Sequence, residues 1–284
     1  MSDAAVSDTA SAAGRAEKPA AIKPRRFGAW YIAEHRLLLM RAYGSTILGT
    51  SIGNPLVYLF ALGVGLASLV QAPLGDGRGG EVGYLAFVAP ALLASAAVTV
   101  ASEEFTYPVL SGFKWNPVFV GARSAPISSA QIADGVIIAV ILRMVVTCAI
   151  YFGVMLLFGA VPSPLGALGI LTATLTGLAV GVVIMAYTST VTEDKGQMAI
   201  IQRFIITPMF LFSGTFFPLT QLPGYLQWIG WISPLWHGNE LGRVLAYGLN
   251  EPVWFTVAHC VYLLAITAVA WRAARIVMTK RLDK

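Results

Sequence analysis

The sequence predicts an all-α integral membrane protein with six transmembrane helices, an interfacial helix near the N-terminus and a re-entrant helical hairpin before the last span. Three observations carry this prediction. Hydrophobic residues make up 57% of the 284 residues, charged residues only 12%, and the mean hydropathy is +0.72, whereas a soluble domain carries about 25% charged residues. Apolar stretches of about 20 residues recur, the length that crosses a hydrocarbon core at about 1.5 Å per helical residue. A charge-free run from Phe204 to Asn239 is broken by Pro208, Pro218, Pro223 and Pro234, too often to cross twice.

The residues up to Ala21 are rich in Ala, Ser and Asp without apolar periodicity, the composition of a disordered tail; the tail is drawn over 1–26. They do not have the basic-then-apolar order of a secretory signal. Phe27, Trp30 and Tyr31 then stand among Glu34, His35, Arg36 and Arg41. Rings and snorkelling cations favour the headgroup region, so 27–41 reads as an interfacial helix, the alternative being simple continuation into the first span. Spans are placed at 45–70, 83–102, 132–158, 165–190, 198–218 and 253–272, within one domain over 27–275 and ahead of a basic tail at 276–284. Runs such as 135–158 do not alternate, which excludes spanning strands. Ser124, Ser128 and Ser129 have no adjacent base and read as residues that start the third helix.

Lys and Arg set the orientation. Arg15, Lys18, Lys23, Arg25, Arg26, Arg36 and Arg41 precede the first span, and Arg272, Arg275, Lys280, Arg281 and Lys284 follow the sixth. Loops on the other side carry only Arg78 and Arg243. Both termini are therefore expected in the cytoplasm, with the protein in the plasma membrane (the bacterial cytoplasmic membrane). The net charge of +5 then reflects topology and affinity for lipid headgroups rather than nucleic acid. Cys148 and Cys260 fall inside spans and read as small buried apolar side chains.

Several stretches carry functional signals. Glu103 and Glu104 end the second span, followed by Thr106-Tyr107-Pro108 and by Phe113-Lys114-Trp115. Carboxylates at a membrane boundary need water or a partner, and the segment behind them is too polar to span. It reads either as a short helix under the membrane that another protein grips or as an unspecialised loop. Arg143 is the only charge deep in the third span; it lines a pathway, pairs between helices or snorkels to the cytoplasmic interface. Trp228, Trp231 and Trp236, with His237 beside them, make 219–239 strongly aromatic, which suits short helices re-entering the outer leaflet as a lid, or an aromatic anchor without a gating role. Glu240 and Arg243 have the spacing of an i,i+3 pair. His35, His237 and His259 are expected far apart, so no metal site is anticipated. Gly49-x-x-x-Gly53 and Gly177-x-x-x-Gly181 are spacings that permit close helix packing.

The order Glu104-x-Thr106-Tyr107, Phe113-Lys114-Trp115, Ala125-Pro126-Ile127-Ser128, then Phe210 to Pro218, Gln221-Leu222-Pro223, Ser233-Pro234-Leu235-Trp236-His237 and Glu240-Leu241-x-Arg243 resembles the permease subunits of type-2 ABC exporters, in particular the NodJ-like branch, whose namesake exports lipo-oligosaccharides. The resemblance covers about residues 27–275. It implies a transporter subunit, not an enzyme, with no cofactor in this chain and with ATP and magnesium on a separate nucleotide-binding subunit. Consistent with that division, the 284 residues contain no G-x-x-x-x-G-K-[ST] loop. By the resemblance, Glu103, Glu104, Phe113, Lys114, Trp115, Glu193 and Asp194 couple to the ATPase. A second permease copy, or a related permease, completes the pathway, with Tyr58, Phe60, Arg143, Phe204, Phe212 and Phe216 in its wall. The implied cargo is amphiphilic: a lipid-linked saccharide, a lipo-oligosaccharide or a hydrophobic drug. A secondary carrier and a membrane transferase acting on lipid-linked sugars are the alternatives. The carrier would want inverted repeats and intramembrane carboxylates, and the transferase an accessible acid–base pair.

Overall fold

Helix α3, Tyr84–Phe105, is the hub of the molecule because nearly every turn of it carries a small residue that lets a neighbour close in. Of its apolar window 78% is buried, against 22% for the last helix, so α3 is central and the last helix peripheral. The computed structural model describes residues 22–66, 76–77 and 80–284. In chain order the other helices are α1 (Ile22–Ala42), α2 (Gly44–Phe60), α4 (Tyr107–Phe113), α5 (Val118–Ala122), α6 (Ser129–Leu157), α7 (Gly169–Thr188), α8 (Gln197–Phe212), α9 (Gly224–Ile232), α10 (Pro234–Tyr247) and α11 (Val253–Leu282). Four helical stretches are long and apolar enough to cross a membrane: Tyr84–Phe113, Ser129–Leu157, Pro164–Thr188 and Val253–Leu282. Helix α2 runs on into a π-helical turn, Ala61–Leu66, and α8 holds another, Gln202–Ile206. A two-residue ribbon, Asp76–Gly77 against Gly80–Glu81, is bridged to Leu249.

The closest packing is α3 on α7. A Cβ on Gly177 would lie 2.6 Å from Met144 Sδ and 2.9 Å from the Ala97 carbonyl, and one on Gly181 would lie 2.6 Å from Ala101 Cβ and from the Phe105 ring. These two glycines are the reason the helices approach, since any side chain would hold them apart. The other expected packing pair behaves differently: a Cβ on Gly49 or Gly53 meets nothing within 4 Å. Helix α1 lies on α6, where Gly135 faces the Ala29 carbonyl and Ile32. Helix α6 begins at a complete capping box, Ser128 Oγ accepting from the Gln131 amide and Gln131 Oε1 from the Ser128 amide. That arrangement satisfies two donors that a helix start would otherwise leave open.

Several boundaries differ from the sequence reading. The fifth helix ends at Phe212 rather than 218, because Gly214 turns the chain with φ +67° and the Ser213 and Gly214 carbonyls bond side chains of α10 instead of continuing the helix. The last helix runs to Leu282, so most of the expected tail at 276–284 is helical, as Ile276 to Leu282 contain no Gly or Pro to end it. Helix α1 starts at Ile22, inside the expected tail of 1–26, and is kinked at Phe27 (φ −113°, ψ 17°). Tyr43 separates α1 from α2, so the interfacial segment and first span are distinct helices. Residues 1–21, the far end of the first expected span at 67–70, and Arg78 lie outside the described residues.

Candidate functional site

Glu104 stands on the last turn of α3 and is 7% exposed. Its two oxygens are divided between arginines of two other helices: Arg36 Nη2 of α1 donates at 3.2 Å, and Arg143 Nη1 of α6 donates to the second oxygen. Arg143 also reaches Glu103 at 3.9 Å. Burial lowers the pKa of Arg36 and the charge of Glu104 opposes it. One carboxylate therefore ties three helices together, and its burial is tolerable only because both lobes are paired. The Glu104 carboxylate is thus engaged inside the chain rather than at its surface. Glu103 is the exposed partner, with a side chain 59% exposed. Arg143 takes the interhelix role, paired with neither Asp134 nor the cytoplasmic surface.

Directly after Phe105 the backbone breaks at Thr106 (φ −94°, ψ −103°), whose hydroxyl caps the Ser102 carbonyl at 2.8 Å. Helices α4 and α5 follow as a short pair whose connecting tip, 114–117, is exposed. Trp115 is stacked on Tyr107 with ring centroids 6.3 Å apart and is still half exposed. Phe113 is not available in the same way: the Phe119 ring meets its edge at 5.0 Å and the Arg281 guanidinium covers its face at 3.9 Å. Arg281 in turn donates to the Ser189 carbonyl at 2.9 Å. The end of α11 thus braces α4 and the turn before α8 at once. In that turn Glu193 is exposed, paired to Lys195 at 3.5 Å, and Asp194 accepts from the Gly196 amide at 3.0 Å. Asp283 bonds Ser129 Oγ and pairs with Arg123 at 3.0 Å. Sequence reasoning missed the roles of Arg36 and Arg281, because basic residues near termini read equally well as topology markers, and that of Asp283, whose partners Ser129 and Arg123 are remote in sequence.

A cavity of about 200 Å³ opens between α2, α3 and α6, with Thr50, Asn54, Tyr58, Thr99, Arg143 and Tyr151 in its wall. Two buried polar atoms here, Tyr151 Oη and Arg143 Nε, have no protein partner. Tyr58 and Arg143, two of the residues expected in a pathway wall, line this one cavity. Phe60 and Phe204 are 63% and 72% exposed and lie apart from this cavity. Phe212 and Phe216 are half-buried, Phe216 meeting Phe210 edge to face at 5.0 Å.

At the opposite end, α9 and α10 meet at Ser233, whose hydroxyl accepts from Ser213 Oγ at 2.6 Å. Trp228 and Trp231 are half exposed, whereas Trp236 is buried against Phe255 and His259. Arg243 is 1% exposed. It pairs with Glu240 at 2.8 Å, donates to the Phe87 and Gly214 carbonyls at 3.3 and 2.5 Å, and lies 3.7 Å over the Phe87 ring. The i,i+3 pair is present, yet it is a buried fastener between α10, α3 and the turn after α8 rather than a surface pair. The histidines also depart from expectation: α10 packs on α11 and sets His237 Nδ1 2.6 Å from His259 Nδ1, with Glu251 3.6 Å from His259 Nε2. Among the described residues no group of three His, Cys, Asp or Glu side chains is placed to hold a metal ion.

Comparison with known proteins supplies the rest. A family model described as "ABC-2 type transporter" matches residues 30–247. Nodulation protein J of Rhizobium meliloti (strain 1021) is 30% identical over 213 residues, 72% of this chain and 75% of the relative. Nodulation protein J of Rhizobium leguminosarum bv. trifolii is 31% identical over 232 residues, 78% of this chain and 82% of the relative. That of Rhizobium leguminosarum bv. viciae is 30% identical over 232 residues, 78% and 83%.

Proposed function

The chain belongs to the ABC-2 type transporter family as a membrane-spanning subunit, and on that premise we propose that it is the permease of an ATP-driven exporter whose hydrolysis is carried out by a separate nucleotide-binding subunit. The observation that carries this reading is the short α4–α5 pair after Glu104, with a rigid back and a bare tip. Phe113, Phe119 and Arg281 lock the back, and Lys114 and Trp115 project from the tip. An apolar ring beside a cation on a braced support is what a docking partner needs: the ring anchors and the charge steers. Glu193 in the neighbouring turn supplies a second point of contact. Displacement of that tip would pass along α4 to Glu104 and from there to α1 and α6 through its two arginines.

In this reading α2 and α8 complete six spans with the four long helices, both termini face the cytoplasm, and α9–α10 is a re-entrant hairpin covering the outer end. Two copies, or this chain and a related permease, enclose the route along α2 and α8, whose exposed Tyr58, Phe60 and Phe204 form its aromatic wall. Rings of this kind suit sugar faces and acyl chains alike, so the cargo is amphiphilic: a lipid-linked saccharide, a lipo-oligosaccharide or a hydrophobic drug. The direct test is affinity purification of the tagged protein in mild detergent, followed by an ATP hydrolysis assay. A P-loop ATPase that co-elutes and turns over ATP is expected. A permease that purifies alone under several detergents would overturn the reading in favour of a carrier.

A further inference from the structure

The two histidines at the outer hairpin are short of one proton. His237 Nε2 lies 3.0 Å from the Trp231 carbonyl; a carbonyl only accepts, so this nitrogen carries the hydrogen and Nδ1 of the neutral ring is an acceptor. His259 Nδ1, 2.6 Å away, must then be the donor in their shared bond. That leaves Nε2 of a neutral His259 as a bare lone pair, fully buried, without a hydrogen-bond partner, and 3.6 Å from Glu251 Oε2. Two acceptors face each other out of water, an arrangement that costs free energy until one of them is protonated.

We propose that His259 Nε2 is a proton-binding site, and that a proton taken up there completes a donor chain from Glu251 through His259 and His237 to the Trp231 carbonyl, fastening the α9–α10 hairpin to α11. Each link then has one donor and one acceptor, and the new link is charge-assisted. The chain crosses three elements: Trp231 on α9, His237 on α10 and His259 on α11. Among the described residues no other charge competes for the site. On α10, Arg243 and Glu240 are spent on each other. On α11, Tyr262 stacks on His237 at 3.9 Å and donates its hydroxyl to the Ile232 carbonyl. From the loop, Glu251 is the facing anion, its other oxygen accepting from Thr256 Oγ1 at 2.6 Å. Thr256 Oγ1 already donates to Glu251, and an imidazole is the more basic of the two groups, so Glu251 remains the acceptor. Both His237 nitrogens are engaged, by Trp231 and by His259, so Nε2 of His259 is the nitrogen left open to the added proton. The inference stands whether or not the chain is an exporter.

The chain has only three histidines, so ring-labelled histidine NMR of the protein in lipid nanodiscs gives three resolvable sites, assigned with His35→Gln and His237→Gln. Between about pH 8 and about pH 5, His259 is expected to gain a hydrogen at Nε2. Hydrogen exchange of the 224–247 amides, corrected for its intrinsic pH dependence, is expected to slow several-fold over the same interval. Glu251→Gln should cut the doubly protonated fraction of His259 at about pH 6 by about tenfold, the effect of losing a facing anion, and abolish the pH effect on exchange. If that variant does not fold, Thr256→Val, which removes only the hydroxyl orienting Glu251, should move both readouts in the same direction by a smaller factor. A His259 that stays neutral down to about pH 5, or that titrates identically in the Glu251 and Thr256 variants, overturns the proposal.

Discussion

The two Gly-x-x-x-Gly pairs have the same sequence signature and opposite surroundings. Gly177 and Gly181 are closed over by α3 and α6, with backbone and side-chain atoms so near that no Cβ fits. Gly49 and Gly53 face open space within the chain, on a helix that also exposes Leu48, Ile52, Val57 and Phe60. The difference divides the molecule into a finished side, α3 with α6, α7, α10 and α11, and an unfinished side, α2 with α8. A small-residue stripe says that something packs closely there; it does not say whether that something is part of the same chain.

Three substitutions test the finished side. The largest expected loss is at Glu104, which holds α1 to the finished side through Arg36 and Arg143. Glu104→Ala leaves the buried Arg36 guanidinium unpaired and Arg143 with only the more distant Glu103, for which about 3–5 kcal/mol of destabilisation is expected; thermal unfolding in detergent, followed by the loss of monodisperse protein, reads it. Survival of the variant at wild-type temperature would mean the arginines find water and that the cluster is no strut. Next is Gly181→Leu, which forces α7 from Ala101 and Phe105 and should cost on the order of 1–3 kcal/mol. Third is Phe113→Ala, which opens the α4–α5 support under Arg281. Its loss should exceed that of Lys114→Ala with Trp115→Ala, since the latter two are exposed and such positions change stability by about 0.5 kcal/mol or less. The Lys114 and Trp115 pair should instead lower recovery of the ATPase several-fold in a pull-down. Unchanged recovery would remove the docking role from the tip.

Which parts of this were legible before the structure follows from the range of the interactions involved. Helix existence was, because a run of apolar residues fills a span by composition alone, and so was the capping box at Ser128, which lies within four residues of sequence. The short pair Glu240 and Arg243 was visible for the same reason, although its burial was not: Phe87 and Gly214, which complete it, are 156 and 29 residues away. The Arg36–Glu104 pair spans 68 residues and the His237–His259 pair 22, and nothing local marks either. Helix ends failed where a tertiary bond replaced a local one, as at Ser213 and Gly214, whose carbonyls are taken by α10. Trp236 read no differently from Trp228 and Trp231, because composition cannot tell a ring at an interface from one covered by Phe255 and His259.

The smallest effect on the fold, and the sharpest on the comparison, is expected at Gly53. With nothing within 4 Å of its Cβ position, Gly53→Leu should leave the stability of a single copy within about 0.5 kcal/mol, or raise it slightly, because glycine in a helix interior is worth about 1 kcal/mol less than alanine. In a second copy packed along α2, the same isobutyl group would hold the helices apart and weaken self-association. Cross-linking or single-molecule counting in nanodiscs, run beside thermal unfolding of the dispersed monomer, separates the two quantities. A variant that is as stable as wild type and associates less places a partner on α2. One that associates equally shows that the open glycines face lipid, and the unfinished side would then have to be sought on α8 alone.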